Sequence, residues 1–303
     1  MKWFFFVLML TVWQDPVTYA IPLFVIMISV EFFINWKEQL SLYETKETFS
    51  SLALGIGSIF INLLMKSLAF IAYLWLGQYA IFQSIGWQWW AWVLVFFLED
   101  FTFYIYHRSM HEVRLFWCAH SNHHSSKTLN FATALRQSWT ELFWKYFYWA
   151  WLPLLGFEPM MIFIYMSFSL IWQYWPHTEL VPKLPKWFEF IFNTPSHHRV
   201  HHASNIRYLD QNHAGVLIIW DRLFGTYADE LEEEKPQYGI TKNIDDIKGN
   251  PLKITIHEYQ DLWKDIKSAP TFKDKLKYIF MPPGWSHIGP DQRAKVLRKQ
   301  AGL

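Results

Sequence analysis

Long apolar stretches alternate with short polar ones along the first 180 residues of the chain. Residues 16–35 are apolar except for Glu31, and residues 49–83 are apolar apart from a few polar positions such as Lys66. Each helical residue adds about 1.5 Å, so roughly 20 residues cross the hydrocarbon core of a bilayer. The pattern therefore predicts a first membrane span over 16–35, and a tilted or kinked span, or two half-spans, over 49–83.

Further apolar stretches follow. Residues 86–106 open with tryptophans, which are enriched where a membrane meets water, and they predict another span. Residues 139–155 and 157–175 predict a helical hairpin, a candidate for two more spans, and residues 181–192 predict an interfacial segment. Residues 1–13 lack a small-residue cleavage site, so we interpret them as an interfacial or half-inserted helix rather than a signal peptide.

The composition agrees with this picture and excludes several classes of protein. Hydrophobic residues make up 52% of the 303 residues, and only 17% are charged, whereas about 25% is average for soluble domains. The net charge of +1 gives no sign of nucleic-acid binding. Cys118 is the single cysteine, which excludes a disulfide framework and a cysteine-based metal site.

The histidines are grouped rather than scattered. They form His-x-x-x-His at 107–111 and His-x-x-His-His at both 120–124 and 198–202. Positions i, i+3 and i+4 share one face of a helix, so each cluster aims its rings at one point. Ten of the 13 histidines lie between residues 100 and 202, namely His107, His111, His120, His123, His124, His177, His197, His198, His201 and His202.

Converging neutral imidazoles are ligands for zinc, copper, iron or nickel. The three clusters hold eight rings, more than the four ligands of a structural zinc or the three of a catalytic zinc. They predict two metal ions, each with an open position, with His177 and His197 as auxiliary ligands. His213, His257 and His287 stand alone and are expected to be structural or exposed.

A metal-bound imidazole usually donates its second N–H to a carboxylate or a carbonyl. Asp100 is the preferred partner, because it lies two turns before His107 on a helical stripe that also includes Tyr104 and His111. We predict Asp100 and Glu112 as the catalytic carboxylates. The candidate acceptors for the second N–H of the imidazoles are Asp100, Glu112, Glu179, Asp210 and Asp221.

An all-nitrogen site at a membrane edge narrows the chemistry. Magnesium and calcium prefer oxygen ligands, whereas iron with open positions is the usual solution for activating O₂. The aliphatic C–H bonds of a lipid need such an oxidant. The sequence therefore predicts a membrane di-iron oxygenase that takes hydrogen from an aliphatic C–H bond of a lipid chain or a sterol.

Two functions from other classes fit less well. A histidine-rich metal transporter would hold its ligands at the bilayer midplane in broken helices, whereas these clusters lie at helix ends and in polar segments. A haem electron carrier would use single axial histidines on facing helices rather than adjacent pairs.

The predicted architecture is all-α: an integral, multi-pass membrane bundle whose cytoplasmic helical cap holds the dimetal site. Lysines and arginines flank the histidine clusters, and such residues favour the cytoplasmic side. We divide the chain into N-terminal transmembrane helices (1–94), a histidine-box catalytic domain (95–228) and a polar C-terminal cytoplasmic tail (229–303). Its oligomeric state is not indicated.

The three clusters resemble the histidine boxes of the fatty acid hydroxylase/sterol desaturase superfamily. The likeness extends to the alkylglycerol monooxygenase branch through several stretches. These are Thr133–Ser138, His177–Glu179, Asn193–His202, Gly215–Asp221 and Phe224–Thr226. One departure is His213, where that branch usually has an aromatic residue.

The resemblance implies a non-haem di-iron centre held by the boxes, with O₂ as oxidant and an ether lipid, a fatty acyl chain or a sterol as substrate. We therefore predict hydroxylation of an aliphatic C–H bond of a lipid, with desaturation at the same di-iron site as the alternative. Because the chain has no cytochrome b5 domain, electrons would come from a separate redox partner. Tetrahydrobiopterin is the donor that the alkylglycerol branch suggests.

Overall fold

The computed structural model describes residues 15–83 and 85–303, and these residues form helices with no β-strand. The interpretation of residues 1–13 lies outside this described part. A 3₁₀ turn covers Tyr146–Trp149. In chain order the α-helices are α1 (Pro16–Glu38), α2 (Thr45–Gly77), α3 (Trp89–Glu112), α4 (Arg114–His124), α5 (Phe131–Ala134), α6 (Leu142–Lys145), α7 (Trp151–Leu155), α8 (Pro159–Tyr174), α9 (Lys186–Ile191), α10 (Pro195–His201), α11 (Ile219–Phe224), α12 (Pro251–Ser268), α13 (Phe272–Phe280) and α14 (Ala294–Gln300).

Among the described residues, α1 and α2 are the helices that are long and apolar enough to cross a membrane. Their 23 and 33 residues correspond to roughly 35 and 50 Å. Large apolar side chains such as Ile26 and Phe60 lie exposed on them. This outward apolar surface suits lipid better than water and indicates a membrane protein. α2 is one unbroken helix, so residues 49–83 do not divide into two half-spans.

Glu31, in the interior of α1, is buried and bonded rather than exposed to lipid. Its carboxylate accepts hydrogen bonds from Tyr43 Oη at 2.6 Å, from the Phe131 amide at 2.7 Å and from Thr178 Oγ1 at 2.5 Å. These contacts tie α1 to the start of α5 and to the residue that follows His177.

An aromatic core fixes α3 between α2 and α8. Tyr73 of α2, Tyr106 of α3 and Phe163 of α8 are buried in one cluster together with Trp149. Since α3 carries the first histidine pair, this core determines where that pair lies.

Residues 139–155 do not form the first helix of a hairpin, so that prediction is wrong. They are divided into α6, the 3₁₀ turn and α7. Tyr73 Oη donates to the Tyr146 carbonyl at 2.5 Å, and Pro153 has no N–H to donate; both features take backbone groups out of a continuous helical ladder. The second half, α8, does form, but its 16 residues reach only about 24 Å.

The C-terminal segment, predicted as a polar tail, folds back onto α4. α12 and α13 pack there around Cys118, Leu262 and Tyr278. Arg114 of α4 forms an ion pair with Asp265 of α12 at 2.6 Å. The segment therefore lies directly against the helix that carries the second histidine cluster.

Candidate metal centre

Helix ends bring the histidine clusters to one buried region. α3 carries the first pair near its C-terminus, α4 ends with the second cluster, and α10 carries the third, with His202 at its C-terminal boundary. α10 begins with Pro195 in its first turn, after Thr194 in an extended conformation. However, Thr194 Oγ1 bonds to side chains such as Glu189 rather than to a backbone amide of the helix.

The rings form two groups, within each of which the candidate ligand nitrogens lie within 4.8 Å of one another. All of these histidines are buried. The convergence predicted from the spacing is thus confirmed, and His177 lies with the clustered histidines in the second group. The first group is His107, His111, His120, His124 and His201, and the second group is His123, His177, His198 and His202.

The second group places nitrogen lone pairs against one another. His177 Nε2 lies 3.1 Å from His123 Nε2 and 2.8 Å from His198 Nε2. His123 Nδ1 faces the Arg136 carbonyl at 3.3 Å, and His177 Nδ1 faces the Gln173 carbonyl at 2.8 Å. A carbonyl only accepts, so we assign the hydrogen of each neutral ring to Nδ1 and the lone pair to Nε2. Two such lone pairs 3.1 Å apart repel unless a cation binds them.

The first group has the same character. His107 Nδ1 donates to the His213 carbonyl at 2.8 Å, and His201 Nδ1 donates to the Gln211 carbonyl at 3.0 Å, which leaves both Nε2 atoms free to bind a metal. The Nε2 atoms of His111, His124 and His201 are buried without a hydrogen-bond partner. Each unsatisfied buried polar group costs about 1–3 kcal/mol, so a coordinating metal ion fits these residues.

Burial also sets the protonation state of the rings. Burial lowers the pKa of His177 to about 4. In other histidines of the two groups, burial is again the main cause of a lowered pKa, and neighbouring imidazoles lower it further. These rings are therefore in the neutral form that binds metal at pH 7. The other members with a pKa well below the usual histidine value are His107, His123, His124, His198, His201 and His202.

Two carboxylates orient rings of the first group. Asp210, one of the predicted candidates, lies 3.3 Å from His111 Nδ1. Glu141 lies 3.4 Å from His120 Nδ1 and also accepts from the Tyr106 hydroxyl. Glu141 is not among the residues predicted from the sequence, because it lies in an apolar, tryptophan-rich stretch far from any histidine. Its charge in such a stretch is the signal that could have identified it.

Neither predicted catalytic carboxylate bonds to an imidazole. Asp100 accepts from the Val216 and Leu217 amides at 2.8 and 3.1 Å and from Trp220 Nε1 at 2.9 Å. It therefore anchors the segment that follows His213, whose carbonyl orients His107. Glu112 is half exposed and pairs with Arg108 at 2.8 Å.

The other candidate carboxylates also lie away from the rings. Asp221 accepts from the His213 and Ala214 amides, both at 2.8 Å, and from Thr226 Oγ1 at 2.6 Å. Glu179 is exposed. Asp221 thus holds the backbone at His213 and Ala214, and Asp100 holds it at Val216 and Leu217. Both carboxylates accept hydrogens from backbone amides and bond to no imidazole.

Two histidines are placed differently from their predicted roles. His197 joins neither group: its Nδ1 lies 3.2 Å from Thr194 Oγ1, and its ring packs 5.6 Å from that of Tyr227. His213, expected to be structural or exposed, is fully buried beside the first group, with its ring 4.9 Å from that of His111. Neither ring nitrogen of His213 has a hydrogen bond of normal geometry.

Removal of one ring of the second group tests the ligand assignment. We expect His123→Ala to lower the bound transition metal to about half of the unmutated content, because the first group is left intact. The measurement is the metal-to-protein ratio of purified protein by mass spectrometry. The control is His257→Gln, because His257 lies in neither group; equal metal content in both variants would remove His123 from the ligand set.

Removal of an orienting carboxylate gives a second test. Glu141→Gln is expected to weaken metal binding about 10–100-fold, because His120 loses its charged acceptor. Competition with a chelator of known affinity measures the change. Glu112→Gln is the matched control on the half-exposed carboxylate, and equal losses in the two variants would contradict the role assigned to Glu141.

Comparison with known proteins agrees with the resemblance that the histidine boxes indicate. Residues 92–226 match the fatty acid hydroxylase family. The chain is 36% identical over 274 residues to alkylglycerol monooxygenase of Homo sapiens and 37% identical over 272 residues to that of Danio rerio, which covers 89% of this chain in each case. It is 32% identical over 169 residues to a fatty acid hydroxylase of a Lecanicillium species, which covers 48% of this chain and 45% of that protein.

The chain spans 60% of the length of the human and Danio rerio relatives. No solved structure matches it. The comparisons confirm the resemblance that the histidine boxes predicted, and the match to the fatty acid hydroxylase family covers the histidine-bearing segment, residues 92–226.

Proposed function

We propose that this chain is a membrane-bound, iron-dependent monooxygenase that uses O₂ to hydroxylate an aliphatic C–H bond of a lipid. The observation that carries the proposal is the pair of buried, all-histidine groups, in which the Nε2 lone pairs of His123 and His177 face each other at 3.1 Å. The family of the segment that holds them supports the same reaction class.

Iron is the metal that we propose, because an all-histidine donor set suits a transition metal and iron with open positions activates O₂. Magnesium and calcium prefer oxygen ligands, and the only cysteine, Cys118, lies in neither histidine group. Groups of five and four rings are best explained by two ions. Bound iron would supply the O₂ activation that an unactivated C–H bond requires. The protein's own residues would keep the rings neutral, fix their orientation and exclude bulk water.

An apolar cavity of about 540 Å³ is the proposed site for the lipid chain. It lies among α1, α3 and α8, next to the exposed apolar surface of α1. Trp175 and Val216 are among its lining residues. In the sequence, Trp175 precedes His177 by two residues, and Val216 follows His213 by three residues. The other lining residues include Leu23, Phe24, Met27, Phe96, Glu99, Tyr165 and Trp172.

The substrate class follows from this cavity and from the relatives. An alkyl chain fits an apolar cavity that borders a candidate span. The alkylglycerol monooxygenases make an ether lipid the first substrate to test, followed by a fatty acyl lipid. A sterol is the third candidate.

The arrangement in the membrane is also a proposal. We infer a multi-pass protein whose metal centre faces the cytoplasm, because basic residues such as Arg108, Arg114 and Lys127 surround the histidine-bearing helices. Electrons would come from a separate donor, and tetrahydrobiopterin is the first one to test.

The proposed reaction is tested by lipid extracts of a bacterial host with and without the gene. We expect a lipid product heavier by one oxygen atom that is absent when His198 is replaced by alanine. Mass spectrometry of extracts from cells fed ether lipids or fatty acids identifies the substrate. A product lighter by two hydrogen atoms would instead establish desaturation, and unchanged extracts in an iron-loaded, folded protein would contradict both.

The lipid cavity gives a sharper test. Met27→Trp is expected to lower kcat/KM for the lipid at least about tenfold, mainly through KM, because the indole fills the space for the chain. Ile26→Trp is the matched control, since Ile26 is exposed and does not line the cavity. Equal kinetics in the two variants would place the lipid elsewhere.

A further inference from the structure

A second cavity, of about 180 Å³, reaches the metal centre from the C-terminal segment. It shares no lining residue with the apolar cavity. One wall consists of metal-centre histidines from both groups: His111, His124 and His201 from the first group and His202 from the second. The Nε2 atoms of the first three are buried and have no hydrogen-bond partner, so the cavity borders atoms that are ready to bind a metal.

The opposite wall comes from the segment that follows the catalytic region. Ala294 and Leu297 of α14 line it, together with Gly239, Thr241 and Gln292. This wall is attached to the metal centre, because Arg298 of α14 donates to the Leu209 carbonyl, next to the Asp210 that orients His111.

A backbone contact shapes the same wall. The Gln292 amide donates to the Gly284 carbonyl at 3.0 Å, and a Cβ on Gly284, at φ +89°, would lie 2.4 Å from the Gln292 carbonyl oxygen. The loop before α14 can therefore close only around a glycine.

The two cavities differ in chemistry. The larger one is lined almost entirely by aromatic and aliphatic side chains, with Glu99 as its single charged group. The smaller one has Asp210, Thr241 and Gln292 in its wall and one third of the volume. A space of this size and polarity suits water and ligands of a few atoms rather than a lipid chain.

We propose that this second cavity is the site through which small water-soluble ligands reach the metal ions, separately from the lipid. The ligands are neutral molecules or anions of a few atoms that bind a transition metal through oxygen or nitrogen. The inference rests on the metal centre of the proposed function, but not on which lipid is the substrate. It assigns to α14 and the loop before it the role of a wall that sets the rate of ligand entry.

The test uses the full chain loaded with iron and azide as the probe ligand. Ala294→Trp, which fills the cavity, is expected to slow azide association at least tenfold in stopped-flow absorbance. Leu297→Ala, which widens the cavity, is expected to speed it. The rate at which a water-soluble chelator removes iron should also fall in Ala294→Trp and rise in Leu297→Ala, because the iron ion leaves through the same cavity.

Met27→Trp serves as the matched control, because it fills the apolar cavity and should leave the azide rate unchanged. If Ala294→Trp does not fold, the opposite effect of Leu297→Ala still decides the matter. Normal iron content with azide rates unaltered by the α14 variants, or slowed only by Met27→Trp, would overturn this inference alone. A folded protein that binds no iron would overturn the metal centre and this inference together.

Discussion

The structure depends on a conflict between neighbouring imidazoles that a bound cation would resolve. Backbone carbonyls and carboxylates fix the hydrogens of several rings on Nδ1, so their Nε2 lone pairs point into shared space. In water each lone pair would accept a hydrogen bond, but here the rings are buried. A set of neutral, desolvated acceptors facing one another is stable only when a positive charge lies among them. Binding of a metal ion there would therefore be linked to folding of this region.

The groups that impose this conflict are held in place by carboxylates that touch no imidazole themselves. Asp100 and Asp221 accept amide hydrogens from the segment around His213, and that segment supplies the carbonyl for His107. Glu31 acts in the same way on the other side, through Thr178 next to His177. Buried acids in apolar helices thus serve as anchors for the segments that orient ligands, which explains why a helix predicted to span the membrane can retain one.

The sequence predicted the parts of this structure that depend on local spacing. The i, i+3, i+4 pattern located three clusters on helices, and it correctly implied that they converge. Partners brought together by the fold were not predictable in the same way, because nothing in the sequence near Glu141 or His213 links them to His120 or His111. The Asp100 stripe was read correctly as a helical face, but its acceptor role depends on residues more than a hundred positions later.

Apolar composition misled where tertiary bonds broke a helix. Residues 139–155 have the hydrophobicity of a span, yet the Tyr73 hydroxyl takes the Tyr146 carbonyl and the chain turns. The polar character of residues 229–303 suggested a tail, whereas α12 has enough apolar positions on one face to pack on α4. In both cases the partner lies on a distant element, and overall hydrophobicity carries no information about it.

The position of the C-terminal segment follows from the burial of the rings. Three helices that bring histidines to one point leave an open side at their ends. Bulk water entering there would donate hydrogen bonds to the Nε2 lone pairs and make metal binding less favourable. α12 and α13 cover α4, and α14 closes the rim near Asp210. What remains is a small polar cavity in contact with both groups, while the large apolar cavity lies among α1, α3 and α8. The polar cavity, walled in part by the C-terminal segment, borders histidines of both groups, whereas the apolar cavity is lined mainly by residues of α1, α3 and α8 and by none of these histidines, so the molecule holds two chemically distinct spaces.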